Sequence, residues 1–190
     1  MRHGQSLANL QQVIVSNPQN GIDDYGLSEQ GMVQVRESVR RDSGLDSGLD
    51  SGLDSDLLIV SSDFRRARES AEIAHDILAC VQPLEFDERL RERNFGDWEL
   101  TSDSAYALVW AGDEINPDNA DNGVESPNQV MQRVSAMIYD YETKHSNATI
   151  LMVSHGDALQ ILQTAFSKQD ASTHRQLQHL QTAEIRGLMV

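Results

Sequence analysis

Apolar positions along the chain recur first at helical spacing and then in short uninterrupted runs, and the two patterns alternate. Met32, Val35 and Val39 lie on one side of a helix that Ser28 can cap, and this helix ends where a Gly-, Asp- and Ser-rich repeat begins. Leu57-Leu58-Ile59-Val60 is a short branched apolar run ending at Ser61-Ser62-Asp63, which predicts a buried strand followed by a helix cap. The next helix is predicted from about Phe64 to Cys80, and Pro83 closes that unit. Residues 112 to 125 are rich in Gly, Asn, Asp and Pro and predict a long loop. Ser126-Pro127 then supplies a cap with proline at the first helical position, ahead of Val130, Val134, Met137, Ile138 and Tyr141. Thr149-Ile150-Leu151-Met152-Val153 predicts a second buried strand. Ser154-His155-Gly156-Asp157 turns it into a helix bearing Leu159, Leu162 and Phe166, and a last strand is predicted over Ala183 to Val190. Strands alternating with helices define an α/β fold with a largely parallel sheet between helical layers, and ligands of such sheets gather beyond the carboxyl ends of the strands.

A length of 190 residues fits one domain, residues 1–190, with room for three layers. At 42, 46 and 50 the tetrapeptide Asp-Ser-Gly-Leu repeats, and the unit is too short and polar to bury a face, so 42–56 is read as a flexible acidic surface loop. A calcium loop would need a closing bidentate Glu that this segment does not have. The apolar share of 39% excludes a disordered chain. A formal charge of −15 works against nucleic acid and anionic membranes as partners, so a phosphate ligand would need a local cationic pocket. Cys80 stands alone, which excludes an intrachain disulfide, and no Cys/His spacing suggests zinc or another metal site. With no signal-peptide pattern in the first 15 residues and no run long enough to span a membrane, a soluble protein of the cytoplasm is expected.

Candidate chemistry collects at the strand-to-helix junctions. His155 follows the run 149 to 153 and should project at a strand's carboxyl end beside a helix N-terminus, an arrangement suited to anions. His3 lies in Arg2-His3-Gly4-Gln5-Ser6, where Gly4 permits a tight turn, and Arg65, Arg66 and Arg68 stand at another junction. A lone histidine is more often an ordinary surface or core residue, and an arginine row with helical partners is more often an exposed face. Taken together, Arg2 with His3, Arg66 and His155 can converge on one anion, since a guanidinium holds two phosphoryl oxygens at once. Glu92 sits among Glu85, Asp87, Glu88 and several arginines, and from spacing alone it stands equally as a solvated loop carboxylate or as an acid. Phe95, Trp98 and Trp110 read as packing, and His75, His145, His174 and His179 as surface residues.

Arg2-His3-Gly4 with Ser6 and Asn9 resembles the RHGxSxxN signature of the histidine phosphatase superfamily, the phosphoglycerate mutase-like family. Further segments resemble the family in its own order: Leu27-Ser28-Glu29-Gln30-Gly31, Ser62-Asp63-Phe64-Arg65-Arg66-Ala67, Leu90-Arg91-Glu92 with Gly96-Asp97-Trp98-Glu99, Gly123-Val124-Glu125-Ser126, and Val153-Ser154-His155-Gly156. Six ordered matches, each in its predicted structural context, form a specific signal. The resemblance implies a three-layer α/β/α sandwich and a cofactor-independent phosphatase acting on a small phosphomonoester. His3 would become a phosphohistidine, Arg2, Arg66 and His155 would bind the phosphoryl group together with Asn9, and Glu92 would donate the proton. It also implies a hydrophobic central strand directly before Arg2. The chain begins at Met1, so the expectation is a sheet lacking its middle, with His3 poorly supported. Phosphoglycerate mutase activity and an inactive phosphate-binding module are the competing expectations; the Gly96-x-Trp98-Glu99 segment is of the phosphatase type.

Overall fold

The computed structural model describes residues 1–43, 57–146 and 148–188, so most of the tetrapeptide repeat lies outside the described residues. Short polar side chains set the helix starts. Ser6 and Asn9 cap each other at α1 (Leu7–Gln11), Asn17 caps the single-turn α2 (Pro18–Gly21), and the Ser28 hydroxyl accepts the Gly31 N–H at 3.0 Å to open α3 (Glu29–Asp42). Strand β1 (Leu58–Ser61) leads into α4 (Arg65–Ile77), where the Ser62 hydroxyl accepts the Phe64 N–H at 3.2 Å. After β2 (Glu85–Phe86) and α5 (Tyr106–Ile115), Ser126 and Gln129 form a capping box on α6 (Pro127–Lys144), with proline in the first position. Strand β3 (Ile150–Val153) runs into α7 (Gly156–Phe166).

The three strands pair in parallel in the order β2-β1-β3, with Val60 opposite both Glu85 and Met152. Parallel pairing demands long crossovers, which α4 and then the α5–α6 segment provide. Strand alternation splits the core into two layers. Ile59 and Val153 pack with Val35 and Val39 of α3 and Ala67, Ala71 and Ala74 of α4. Val60 faces the other way, onto Met137 and Tyr141 of α6, and Met152 packs with Val134 and Ala158 of α6 and α7. The three-layer arrangement expected from the sequence is therefore observed. A separate cluster of Ile14, Phe95, Ala105, Val109 and Val124 consolidates the loops beyond the sheet.

Two local expectations change. The predicted loop begins later, because Val109 and Asp113 are both buried and hold α5 helical through Ile115. Residues 183–188 form no strand: Ala183 sits at φ +62°, a left-handed conformation that breaks an extended run, and only Ala183 and Glu184 bond the first residues of the chain.

Those first residues are well held. Ser154 N–H donates to the Met1 carbonyl and His3 N–H to the Ser154 carbonyl, both at 3.0 Å, forming a parallel bridge between Arg2 and Ser154. On the other side Arg2 N–H donates to Glu184 and Ala183 N–H to His3, again at 3.0 Å. His3 thus has backbone support on both flanks, contrary to the expectation for a chain starting at Met1. Below this bridge, Ile150, Leu151 and Met152 border a largely apolar cavity of about 550 Å³ shared with Met1, Leu159 and Leu188.

Close backbone approach fixes the turn after His3. A Cβ at Gly31 would lie 2.0 Å from the Gln5 carbonyl oxygen, so only glycine lets α3 pass beneath the Gly4–Gln5 backbone. Gly31→Ala should lower stability by about 1–3 kcal/mol through overpacking, although alanine is favoured over glycine inside a helix by about 1 kcal/mol. Urea denaturation checks this, and a midpoint that holds or rises would contradict the close approach.

Candidate active site

The Arg2–Ser154 bridge sets His3 beside His155, the residue that follows Ser154, and the two rings meet edge-on with centroids 5.1 Å apart. His3 is 3% exposed and His155 is fully buried. Nδ1 of His3 lies 2.7 Å from the Gly4 carbonyl, which can only accept, so the proton sits on Nδ1 and the lone pair on Nε2. Arg66, in the first turn of α4, donates from Nε to that Nε2 at 3.2 Å and from Nη2 to the Val15 carbonyl at 2.9 Å. Nε2 of His155 lies 2.9 Å from the Ser62 hydroxyl. Arg2 donates from Nη1 to the Leu180 carbonyl at 2.8 Å and is 3.0 Å from Nε2 of His179.

Carbonyl oxygens and ring nitrogens, rather than carboxylates, hold Arg2 and Arg66. Among the described residues, Arg2 Nε, Arg66 Nη1 and His155 Nδ1 are buried polar atoms without a hydrogen-bond partner. Such atoms are rare and call for a physical explanation; here they belong to three side chains around one nucleophilic nitrogen, a suitable cradle for a tetrahedral oxyanion. Burial lowers the pKa of both arginines, an effect that Glu92 partly offsets. Burial, followed by the charge of Arg66, also holds His3 and His155 well below the ordinary imidazole range, so both rings are neutral.

Glu92 faces the same group from the loop after β2. Its Oε1 accepts the Arg93 N–H at 3.0 Å and the Ala158 N–H at 3.2 Å, which ties it to the first turn of α7. Burial and, after it, the charge of Asp157 raise the Glu92 pKa, against the opposing pull of Arg66 and the two N–H donors. Four predicted residues, His3, Arg66, His155 and Arg2, are therefore brought together with Glu92. Asn9 makes no hydrogen bond with these five: its Oδ1 serves the α1 cap, accepting from Ser6 N–H and Oγ at 3.0 Å, while its amide NH₂ is left free among the described residues and the residue is exposed.

Behind Glu92 lies an ion network that the sequence did not disclose. Arg93 is fully buried and grips Asp113 with two bonds of 2.5 and 2.8 Å, with Asp157 at 3.4 Å. Trp110, expected as packing, donates to Asp157 at 2.9 Å, and Arg175 lies 3.6 Å over its ring. His174, expected at the surface, is fully buried with Nδ1 2.9 Å from the Ala171 carbonyl, and His179 is half-buried against Arg2. Tyr106 was also missed; it stacks on Trp110 at 5.3 Å, and burial followed by the charge of Glu92 raises its pKa. No spacing marks these partners, because the acids stand 20 and 64 residues from Arg93.

A parallel α/β sandwich with two neutral histidines, two buried arginines bonded to no carboxylate among the described residues and a raised carboxyl at the sheet's carboxyl end defines a phosphoryl-handling protein. The chain belongs to the histidine phosphatase superfamily, branch 1, whose family profile matches residues 1–189. It is 31% identical over 184 residues to a protein of Erwinia tasmaniensis named "Probable phosphoglycerate mutase GpmB", covering 93% of this chain and 77% of that one. A glucosyl-3-phosphoglycerate phosphatase of Mycolicibacterium vanbaalenii is 29% identical over 179 residues, covering 87% and 71%. Among solved structures, Bacillus stearothermophilus YhfR superposes with a TM-score of 0.74 at 25% identity over 96% of this chain and 85% of that one. No described helix is long and apolar enough to cross a membrane.

The buried neutral histidines make stability fall on acidification. In the unfolded chain each takes a proton near pH 6.5, whereas His3, His155 and His174 are lowered when folded and His179 falls to about 4. The unfolded state therefore binds more protons below about pH 6.5, and the stability these histidines contribute is full above that value and lost beneath it; the buried Met1 amine, lowered by burial from 8.0 to about 5, adds a loss of the same sign that begins near pH 8. Glu92, raised in the fold, opposes this as a single group, while Asp87 and Glu184, lowered in the fold, add their losses only at lower pH. The denaturant midpoint should be lower at pH 5.5 than at 7.5; a rise would contradict the neutral buried state.

Proposed function

We propose that the protein is a phosphatase that hydrolyses a small phosphomonoester through a phosphohistidine on His3. The observation that carries this reading is the set of three unpartnered buried polar atoms, on Arg2, Arg66 and His155, around a His3 ring whose lone pair is on Nε2. In the first step Nε2 attacks phosphorus in line, the P–O bond to the leaving group breaks, and the Glu92 carboxyl gives its proton to the departing oxygen. Arg66 moves its Nε from the attacking nitrogen to a phosphoryl oxygen, and Arg2 and His155 neutralise the others. In the second step the Glu92 carboxylate takes a proton from water, the water oxygen attacks phosphorus, the P–N bond breaks, and inorganic phosphate leaves with His3 neutral again.

The name of the Erwinia tasmaniensis relative favours a second reading, phosphoglycerate mutase. Conversion of 3- to 2-phosphoglycerate without phosphate release would establish it. The Gly96-Asp97-Trp98-Glu99 segment supports the phosphatase instead. There Glu99 accepts bonds from Ser16 and Asn17 and thereby fixes the loop whose Val15 carbonyl holds Arg66.

Two substitutions test the scheme. His3→Ala should abolish turnover and the acid-labile ³²P label, and a label that survives would refute His3 as nucleophile. Glu92→Gln should slow phosphoenzyme formation from an alkyl phosphate by about 10²- to 10⁴-fold, and far less from p-nitrophenyl phosphate, whose leaving group needs little protonation. Single-turnover measurements isolate this step, and equal losses on the two substrates would give Glu92 a structural role.

A further inference from the structure

Glu92 also lines an open cleft of about 550 Å³ that extends toward Gln129, on the side to which Glu92 would deliver its proton in the proposed scheme. We propose that this cleft receives an uncharged, hydroxyl-bearing leaving group and disfavours one that carries a carboxylate; the inference rests on the phosphatase reading and names its substrate class. Holding a carboxylate would take a cation with both unmatched charge and N–H groups to spare, and the cleft has two arginines, Arg91 and Arg133. Arg133 has none left. Its Nε donates to Glu125 Oε1 at 2.7 Å, Nη1 to the Arg89 and Arg91 carbonyls at 2.5 and 3.0 Å, and Nη2 to the Glu92 carbonyl at 3.3 Å and Glu125 Oε2 at 3.0 Å. Those are all the donors a guanidinium has.

Arg91 is claimed from both sides. Nε and Nη2 clasp the two oxygens of Asp63 at 2.8 and 2.5 Å, and Nη1 pairs with Glu88 at 2.7 Å, so Arg91 keeps one N–H on each Nη but its charge is already matched by two carboxylates. Charge in the lining follows: with Glu92 holding its proton, Glu88 and Glu125 stand against Arg91 and Arg133, so an incoming carboxylate meets no net positive charge. Arg2 and Arg66 are engaged by the phosphoryl group in the proposed scheme.

What the cleft does offer is mixed hydrogen bonding. Asn94 and Gln129 are exposed, and each commits its side-chain oxygen to a backbone N–H, of Gly96 at 2.7 Å and Ser126 at 2.9 Å. Each thereby leaves its NH₂ donor uncommitted, in a cleft whose lining also includes the carboxylates of Glu88 and Glu125. An alcohol hydroxyl donates and accepts, so it satisfies both; a carboxylate only accepts, and it would meet the two glutamates unpaired.

Glycerol 3-phosphate and 3-phosphoglycerate share a three-carbon skeleton and differ in CH₂OH against COO⁻, so their ratio reads this cleft. Glycerol 3-phosphate should have the higher kcat/KM by about tenfold or more, the discrimination available where a site leaves a charged group unpaired. Glu125→Gln, which releases Arg133, and Glu88→Gln, a change at an exposed residue that frees one side of Arg91, should each narrow the ratio toward one, with p-nitrophenyl phosphate reporting the intrinsic rate of each variant. A wild-type preference for 3-phosphoglycerate, or a ratio unmoved by both variants, would overturn the proposal. If p-nitrophenyl phosphate is not hydrolysed, the phosphatase reading fails by itself. Calorimetric binding of the two esters to His3→Ala then decides the cleft: tighter glycerol 3-phosphate supports it, tighter 3-phosphoglycerate overturns it.

Discussion

Two backbone hydrogen bonds, from Ser154 to Met1 and from His3 to Ser154, fix the register between the start of the chain and the end of β3. Everything at the site inherits that register. A slip of one residue would send His3 to the opposite face of the sheet, because side chains alternate along an extended strand. With the register held, His3 and His155 meet, α7 starts one residue later, and Glu92 finds the N–H groups of that helix's first turn. The close passage of Gly31 under Gln5 then locks the turn that follows His3, so support for the nucleophile comes from α3 as well as from the sheet.

Electrostatics separates the two arginines beside His3 from those paired with carboxylates. Arg66 and Arg93 are both almost wholly buried and lie on neighbouring segments, yet their environments act in opposite directions. Arg93 has Asp113 and Asp157 against it, and its pKa is raised; Arg66 has carbonyl and imidazole partners, and its pKa is lowered. A buried cation without a counter-charge is costly in the free protein, and an arriving phosphoryl dianion relieves that cost. The surrounding chain carries a formal charge of −15, so affinity for an anion must be local to this cluster.

Much of this was legible in the sequence because the signals are local. The caps at Ser28 and Ser126, the apolar runs of β1 and β3, and the placement of His155 at a strand end all follow from neighbours within a few positions. Residues whose role depends on distant partners were not legible. Arg93, Asp113, Asp157, Trp110 and His174 are joined across three segments, and each taken alone resembles a surface charge, a packing aromatic or an idle histidine. Asn9 shows a structural role that its motif did not suggest, since its side-chain oxygen completes the capping box of α1. The left-handed Ala183 had no sequence signal, since alanine seldom adopts that conformation without tertiary compulsion.

One physical cause gives both reacting groups their protonation states. Removal from water disfavours whichever form is charged, so it lowers the pKa of an imidazole and raises that of a carboxyl. His3 is thereby kept neutral with a lone pair at Nε2, and Glu92 is kept protonated further up the pH scale than an exposed glutamate. Nearby charges reinforce the split: Arg66 pushes His3 down, and Asp157 pushes Glu92 up. Arg66 also draws Glu92 down, which caps its rise and leaves the conjugate base accessible for the second half of a two-step reaction. In the proposed scheme His3 must be free of its proton and Glu92 must hold one, and the same enclosure favours both states.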